Sequence, residues 1–398
     1  MHFKIFLALF IAAGIFTGCQ DEDQILQPED KFTRIYDSRI FDDSYLPVDV
    51  KENSNGEFLI LSGRRKENTG ALGIVLLKTD NTGTLEELYE LGDPYVNPTR
   101  MVEASDSLFY FFCMDEATLT VYLASVDPAN GIISDPDGVG LSYPLAASRG
   151  IGDQLLLLSY DHVDKETVIS EVGMDASIQG SQRYTIGANN DNEEQIIDHF
   201  TREGQRLPFQ VGRSSDIYFF NGFYNFTFSM VFVDMQGGNN TGVLQGQQYD
   251  AGVSAAMHID GQNYALATFN FNRRYIQPRV TIDANALSST IDIENNPIPE
   301  LGIEDNPEIN TISIDQVPYT VFAANTRNSQ IVLYFYSQEN GDLRGTRYLG
   351  FNQPYHFEAM TPTNDGGLAI TGSVFVAGRF QRVLLIKLAV QDLRSIIN

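Results

Sequence analysis

Cationic side chains are scarce in this chain, 26 Lys and Arg against 52 Asp and Glu, so the places that gather them stand out. Arg64-Arg65-Lys66 and Arg273-Arg274-Tyr275 are two such clusters, and Arg379-Phe380 adds another cation beside a ring. Tyr224-Asn225-Phe226 sets two aromatic side chains in a similar polar stretch. Guanidinium and ammonium groups so placed could grip a carboxylate, a sulfated glycan or an acidic partner through charge-assisted hydrogen bonds. Tyr and Phe beside them could stack on sugar rings or anchor a protein, although the absence of Trp weakens the sugar reading. For any single loop, a solvated stretch that tempers a strongly negative field explains the same residues.

Other chemistry is harder to find. The run Glu294…Glu300…Glu304-Asp305…Glu308 could offer oxygens to calcium, but it lacks the Asp-x-Asp-x-Asp-Gly spacing and reads as a solvated acidic loop. Asn189-Asn190-Asp191-Asn192-Glu193-Glu194 reads the same way. The histidines after His2, namely His162, His199, His258 and His356, are scattered and form no zinc spacing. There is no Gly-x-Ser-x-Gly elbow and no phosphate-binding glycine loop. Cys113 lies in Phe109-Tyr110-Phe111-Phe112-Cys113-Met114 and reads as a buried, inert thiol. No catalytic residue, metal or cofactor is assigned. The net charge of −26 repels phosphate backbones, so nucleic acid is not an expected partner.

The elements that must position these residues begin after an address. Lys4 and the apolar run Ile5–Phe16 have the form of a signal peptide, too short to span a bilayer. Phe16-Thr17-Gly18-Cys19 resembles a bacterial lipobox, which implies removal of residues 1–18 and acylation of Cys19, a palmitate-type anchor without a transmembrane helix. An ordinary secretory signal that happens to contain Cys is the alternative. Gln20-Asp21-Glu22-Asp23 resembles the export signal of Bacteroidota surface lipoproteins, which implies the outer membrane, facing outward. Residues 19–31 are polar, carry Pro28, and read as a flexible acidic tether.

Residues 32–398 repeat. Asn55-Gly56-Glu57-Phe58-Leu59-Ile60-Leu61 with Gly73–Lys78, and Asp365-Gly366-Gly367-Leu368-Ala369-Ile370 with Val383–Leu388, are both a turn, a strand, a loop and a second strand. Anchors after the second strand fall at Asp80, Asp127, Asp175, Asp234, Asp283, Ser337 and Ala389, with gaps of 47, 48, 59, 49, 54 and 52 residues. Flanking strands complete four per unit. A four-strand unit near 50 residues long describes a β-propeller blade, so an all-β, seven-bladed propeller is expected; paired β-sandwiches explain the repeat less well. Phe32–Tyr36 resembles Gly345–Leu349 and is expected to form the outer strand of the seventh blade. The long gaps place inserts within Gly187–Leu207 and near Glu294–Thr311, on the face that holds Arg64, Tyr224, Arg273 and Arg379.

The repeat pattern and the lipobox together look like propeller lipoproteins of Bacteroidota outer membranes. Two functions follow as expectations. One is a non-catalytic surface protein that binds an outer-membrane protein partner through its upper-face loops. The other binds or processes acidic surface glycans, with Arg64, Arg273 and Arg379 holding the substrate and His199 or an insert carboxylate as acid or base.

Overall fold

The computed structural model describes residues 30–37, 44–104, 107–187, 191–201, 207–214, 217–237, 240–302, 306–351, 353–376 and 380–397. Nearly every element is a strand. The first unit is β2 (Tyr45–Glu52), β3 (Phe58–Arg65), β4 (Leu72–Thr79) and β5 (Leu85–Val96), preceded by β1 (Phe32–Tyr36). The second is β6 (Val102–Glu103), β7 (Phe109–Asp115), β8 (Thr120–Asp127), β9 (Ile132–Ile133) and β10 (Asp137–Ser142). A short β5–β7 pairing, Tyr95 with Asp115 and Val96 with Met114, links the sheets of these two units. The third sheet is β11 (Pro144–Arg149), β12 (Leu155–Asp161), β13 (Glu166–Val172) and β14 (Ile178–Thr185).

Helix α1 (Asp191–Thr201) comes next. Then follow β15 (Gln210–Ser214), β16 (Ile217–Tyr224), β17 (Thr227–Val233) and β18 (Asn240–Gln245), and after them β19 (Ala251–Asp260), β20 (Asn263–Asn270) and β21 (Arg273–Thr281). Strand β22 (Leu287–Ser289) joins β18 in parallel. The chain ends with β23 (Glu308–Ile314), β24 (Val317–Asn325), β25 (Ile331–Ser337) and β26 (Leu343–Leu349), then β27 (Tyr355–Pro362), β28 (Leu368–Val376), β29 (Phe380–Leu388) and α2 (Val390–Ile397). Strand β1 lies antiparallel on the outer edge of β29, with Phe32 opposite Lys387 and Tyr36 opposite Val383.

The middle strands are continuous apolar runs because both of their faces are covered. Leu155-Leu156-Leu157-Leu158 is wholly buried, with Leu156 and Leu158 facing one neighbouring sheet and Leu155 and Leu157 the other. Apolar clusters join each unit to the next in chain order. Phe111 and Ile74 share the cluster between the first and second units, and Phe232 with Leu266 that between the fourth and fifth. Phe32, Phe58 and Leu385 form another, between the last sheet and the first unit. Antiparallel sheets in sequence, each packed on the next, make this a β-propeller.

The repeating aspartates are turn formers. The carboxylate of Asp80 accepts from the Thr82 and Thr84 amides at 2.9 and 2.7 Å, and those of Asp127, Asp234 and Asp283 each accept from the amide two residues on at 2.9 Å. Cys113 is fully buried in the cluster between the first two units, and burial pushes its thiol up to about 12. In a Cys19→Ser chain, Ellman's reagent should therefore leave the native protein unlabelled and titrate one thiol after denaturation. Labelling of the native protein would contradict this packing.

Two expectations are corrected. The acidic stretch up to Glu194 is not a solvated loop where it is described: Asp191, Glu193 and Glu194 form the first turn of α1, where acids favour the positive end of the helix dipole. Ile196 and Phe200, one turn apart, bury themselves in the cluster between the third and fourth sheets. The second insert is also not simply solvated. A 3-10 helix (Thr290–Ile293) leads into it, Leu301 is buried, and Glu300 is tied to the wall of the sixth sheet, accepting from the hydroxyls of Tyr334 and Tyr348.

Candidate functional site

The strands run alternately, so the links from second to third strand and the links between units leave from one end, called the upper end here. The first strand of each unit forms the inner edge. Two regions of this framework hold functional geometry, the channel along the inner edges and the upper-end turns.

Arg100, just before β6, reaches across the channel. Its guanidinium meets Glu308 of β23 at 2.7 Å and donates to the carbonyl of Glu358 on β27 at 2.8 Å. Asp49 of β2 stands close by, accepting from the Met101 amide at 2.9 Å and pairing with Lys51 at 3.2 Å. Arg100 has many protein atoms around it, yet water reaches 44% of its side chain and 14% of that of Glu308. Burial works against the charge on Arg100, but Glu308 and Asp49 outweigh it and hold the guanidinium more firmly protonated. Burial pushes Glu308 above the usual carboxylate range, with Arg100 opposing. Glu308 is further fixed by Asn310 and the Met360 amide at 3.1 Å each. The group is a staple between four units, with its donors and acceptors turned on one another.

Helix α1 spans several sheets. Glu193 accepts from Tyr160 at 2.9 Å and from Lys165 at 2.8 Å, Asn192 donates to the Ile186 carbonyl at 2.8 Å, and the Phe200 ring lies 5.4 Å from that of Tyr143. A Cβ at Gly70, in the first unit, would come 2.5 Å from the Thr201 carbonyl oxygen, so the helix end touches that turn too. His199 packs edge-on between Phe200 and Phe209, at 5.2 and 5.0 Å.

The basic clusters read from sequence have mixed fates. Arg64 and Lys66 line a small hollow of about 150 Å³ with Glu90, Asp93 and Tyr95. Lys66 is engaged there, bridging Asp93 at 2.5 Å and Glu116 at 2.7 Å. Arg65 donates to the Gly70 carbonyl at 2.6 Å. Arg274 and Tyr275 do not face solvent: the Arg274 guanidinium lies 5.2 Å over the Phe269 ring and donates to the Phe271 carbonyl, and Tyr275 is buried. The two are neighbours on β21 and face opposite sides of the sheet, both of them covered, which no count of charges reveals. Arg273 is exposed. Tyr224 packs against Tyr184 at 5.8 Å, and Phe380 lies under Arg382 at 5.9 Å. Cys19 and Arg379 lie outside the described residues.

The upper end instead presents aromatic rings. Every exposed phenylalanine among the described residues is there: Phe226, Phe271, Phe351 and Phe375. Phe226, Tyr249 and Phe271 are 46%, 38% and 61% exposed on neighbouring turns. The Phe228 amide donates to the Gln248 carbonyl at 2.5 Å and the Phe271 amide to that of Asp250 at 2.7 Å, linking the three turns. Phe226 and Phe271 have φ of 74° and 49°, a left-handed region that bulky residues rarely occupy. Only Phe226 was singled out from sequence. Tyr249 and Phe271 stand in links, and Phe375 at the end of β28, at positions the repeat defines, so reading aromatics at those places would have found them.

No known family matches the chain, and no curated protein matches it. Among solved structures, it is similar to a catalytically inactive virginiamycin B lyase from Staphylococcus aureus solved with quinupristin, at 10% identity and TM-score 0.47, over 90% of this chain and 99% of that one. It is similar to the Dos1 propeller at 11% identity and TM-score 0.44, over 86% and 92%. It is also similar to the β-propeller domain of the trilobed protease from Pyrococcus furiosus, at 8% identity and TM-score 0.48, over 87% and 95%. Likeness at this level carries nothing about ligand or chemistry, and the fold rests on the sheet order and clusters described above.

Proposed function

We propose that this chain is a seven-bladed, lipid-anchored, non-catalytic propeller that docks a protein partner at the cell surface through its upper-end aromatic turns. The observation that carries the reading is the gathering of every exposed phenylalanine among the described residues at one end, two of them on strained turns that are each hydrogen-bonded to the link at Gln248 and Asp250. Exposed aromatic rings on a rigid framework are the side chains that dominate protein interfaces. Interior acids support a binding role over catalysis, because Glu193, Glu300 and Glu308 each already serve fixed partners.

The direction of β1 supports the anchoring. Its first residue pairs with Lys387 near the lower end, and Lys31 meets Asp392 of α2 at 3.1 Å. A tether from Cys19 to residue 31 thus arrives at the lower end, and the aromatic end points away from the membrane. The acyl anchor on Cys19, the outer-membrane location and the outward orientation belong to this proposal. So does closure of the ring by β1, which the cluster of Phe32, Phe58 and Leu385 favours.

A Phe226→Ser, Phe271→Ser double variant tests the docking. It should keep the wild-type melting temperature, since both side chains are solvent-exposed, and lose migration with its partner on native gels of solubilised membranes. Unchanged migration, or a wild-type chain that runs alone, would sink the proposal and turn attention to acidic glycans.

A further inference from the structure

A second recess opens at the inner edge between β15 and β19. It is a cavity of about 510 Å³ lined by Gln210, Gly212, Arg213, Phe219, Met257 and His258, among others. That volume lies within the range of small-ligand pockets. Its construction is specific. A Cβ at Gly212 would fall 2.5 Å from the Phe219 ring, so only glycine lets that ring lie against the strand and form a wall. Gln210 braces the opposite strand, donating to the Ala256 carbonyl at 2.7 Å and accepting from the Ala256 amide at 2.8 Å. The apolar side of the lining is thus Met257, backed by the buried Phe219 ring and Ala256 and held in place by a backbone-to-side-chain clasp.

The charge in the cavity is cationic. Most cations of this acidic protein have a carboxylate close at hand, as Lys78, Arg183 and Lys387 do. Arg213, exposed at the rim, does not: among the described residues the one hydrogen bond of its side chain is a long 3.4 Å contact to the Gly150 carbonyl, and no carboxylate pairs with it. Arg149, the residue before Gly150 on the neighbouring inner strand β11, likewise has no carboxylate partner among the described residues. His258 on β19 bonds through Nε2 to the Gly261 carbonyl at 3.0 Å. The nearest acid of that element, Asp260, is occupied by Arg279 at 2.9 Å. A guanidinium with most of its donor fork unused, beside an apolar wall, suits an oxyanion carried on an apolar body.

We infer that the cavity between β15 and β19 binds a small organic anion, with Arg213 receiving the oxyanion and Met257, backed by the Phe219 ring, receiving the apolar part. The site is separate from the upper-end docking turns and does not depend on them. Carboxylate and phosphate head groups share the required chemistry. The test is a titration of the full chain, followed by ligand-observed NMR, with benzoate, phenyl phosphate and benzyl alcohol. At least one of the two anions should bind, and the alcohol, with a comparable ring and no charge, at least tenfold more weakly. Which anion binds better identifies the head group.

Arg213→Gln should weaken anion binding at least tenfold, and Arg344→Gln, an exposed cation on β26, should leave it unchanged. If Arg213→Gln fails to fold, Arg213→Lys replaces it: charge is kept, the planar fork is lost, and binding should still weaken severalfold. Equal binding of benzyl alcohol, no binding of either anion, or an Arg213 variant that folds and binds as wild type would each overturn the inference.

Discussion

An Arg100→Ala chain should unfold at markedly lower denaturant than wild type. The guanidinium is the central member of the channel staple, facing Glu308 at 2.7 Å, the Glu358 carbonyl at 2.8 Å and the field of Asp49. Removing one partner of a buried pair leaves the other charge without compensation, which typically costs about 3–5 kcal/mol. Because water reaches nearly half of the Arg100 side chain, the loss here should be nearer about 2 kcal/mol.

The pH dependence provides an internal check. Burial gives Glu308 a higher proton affinity in the folded chain than in the unfolded one. Its contribution is therefore most favourable below the unfolded value and declines as pH rises through the folded value. Loss of Arg100 raises the folded value further. The deficit of Arg100→Ala should thus be smaller near the acid end of the carboxylate range than at neutral pH, as read by chemical denaturation at both. A deficit that grows on acidification would mean that the pair is not what Arg100 supports.

A Phe32→Ala, Tyr36→Ala chain should lose still more. Phe32 packs edge-on against Phe58 at 5.9 Å, and Tyr36 donates its hydroxyl to the Gly83 carbonyl at 2.8 Å, so β1 is held to the first unit as well as to β29. Truncating one buried Phe commonly costs about 3–5 kcal/mol through lost burial and the cavity left behind. Loss of the Tyr36 contacts adds to this. With β1 weakened, the outer edge of β29 offers unpaired amides and carbonyls to other chains. The expected result is a large drop in unfolding midpoint together with concentration-dependent association on gel filtration. A double variant that stays monomeric with a wild-type midpoint would show that the strand is dispensable.

Much of the scaffold was legible because it depends on local chemistry. Asp80, Asp127, Asp234 and Asp283 mark turns by bonding their own neighbours, and the apolar run Phe58-Leu59-Ile60-Leu61 reads as a strand and is covered on both faces. What depends on packing between distant segments was not legible. Helix α1 offers few apolar residues in an acidic stretch, and its burial of Ile196 and Phe200 exists only because the third and fourth sheets meet beneath it. Arg274 carries the same charge as Arg273, yet only the register of β21 decides which is buried over Phe269. The Arg100 staple joins residues more than two hundred positions apart.

The docking claim is tested most directly by site-specific photocrosslinking in intact native membranes. A photoreactive residue is placed at position 226 or 271 on the upper end, and at 317 or 343 on lower-end turns, where Val317 and Leu343 are also exposed. The account predicts a discrete adduct containing a second polypeptide from 226 and 271, and none from 317 or 343. Adducts from the lower end alone, or none from 226 and 271, would contradict it.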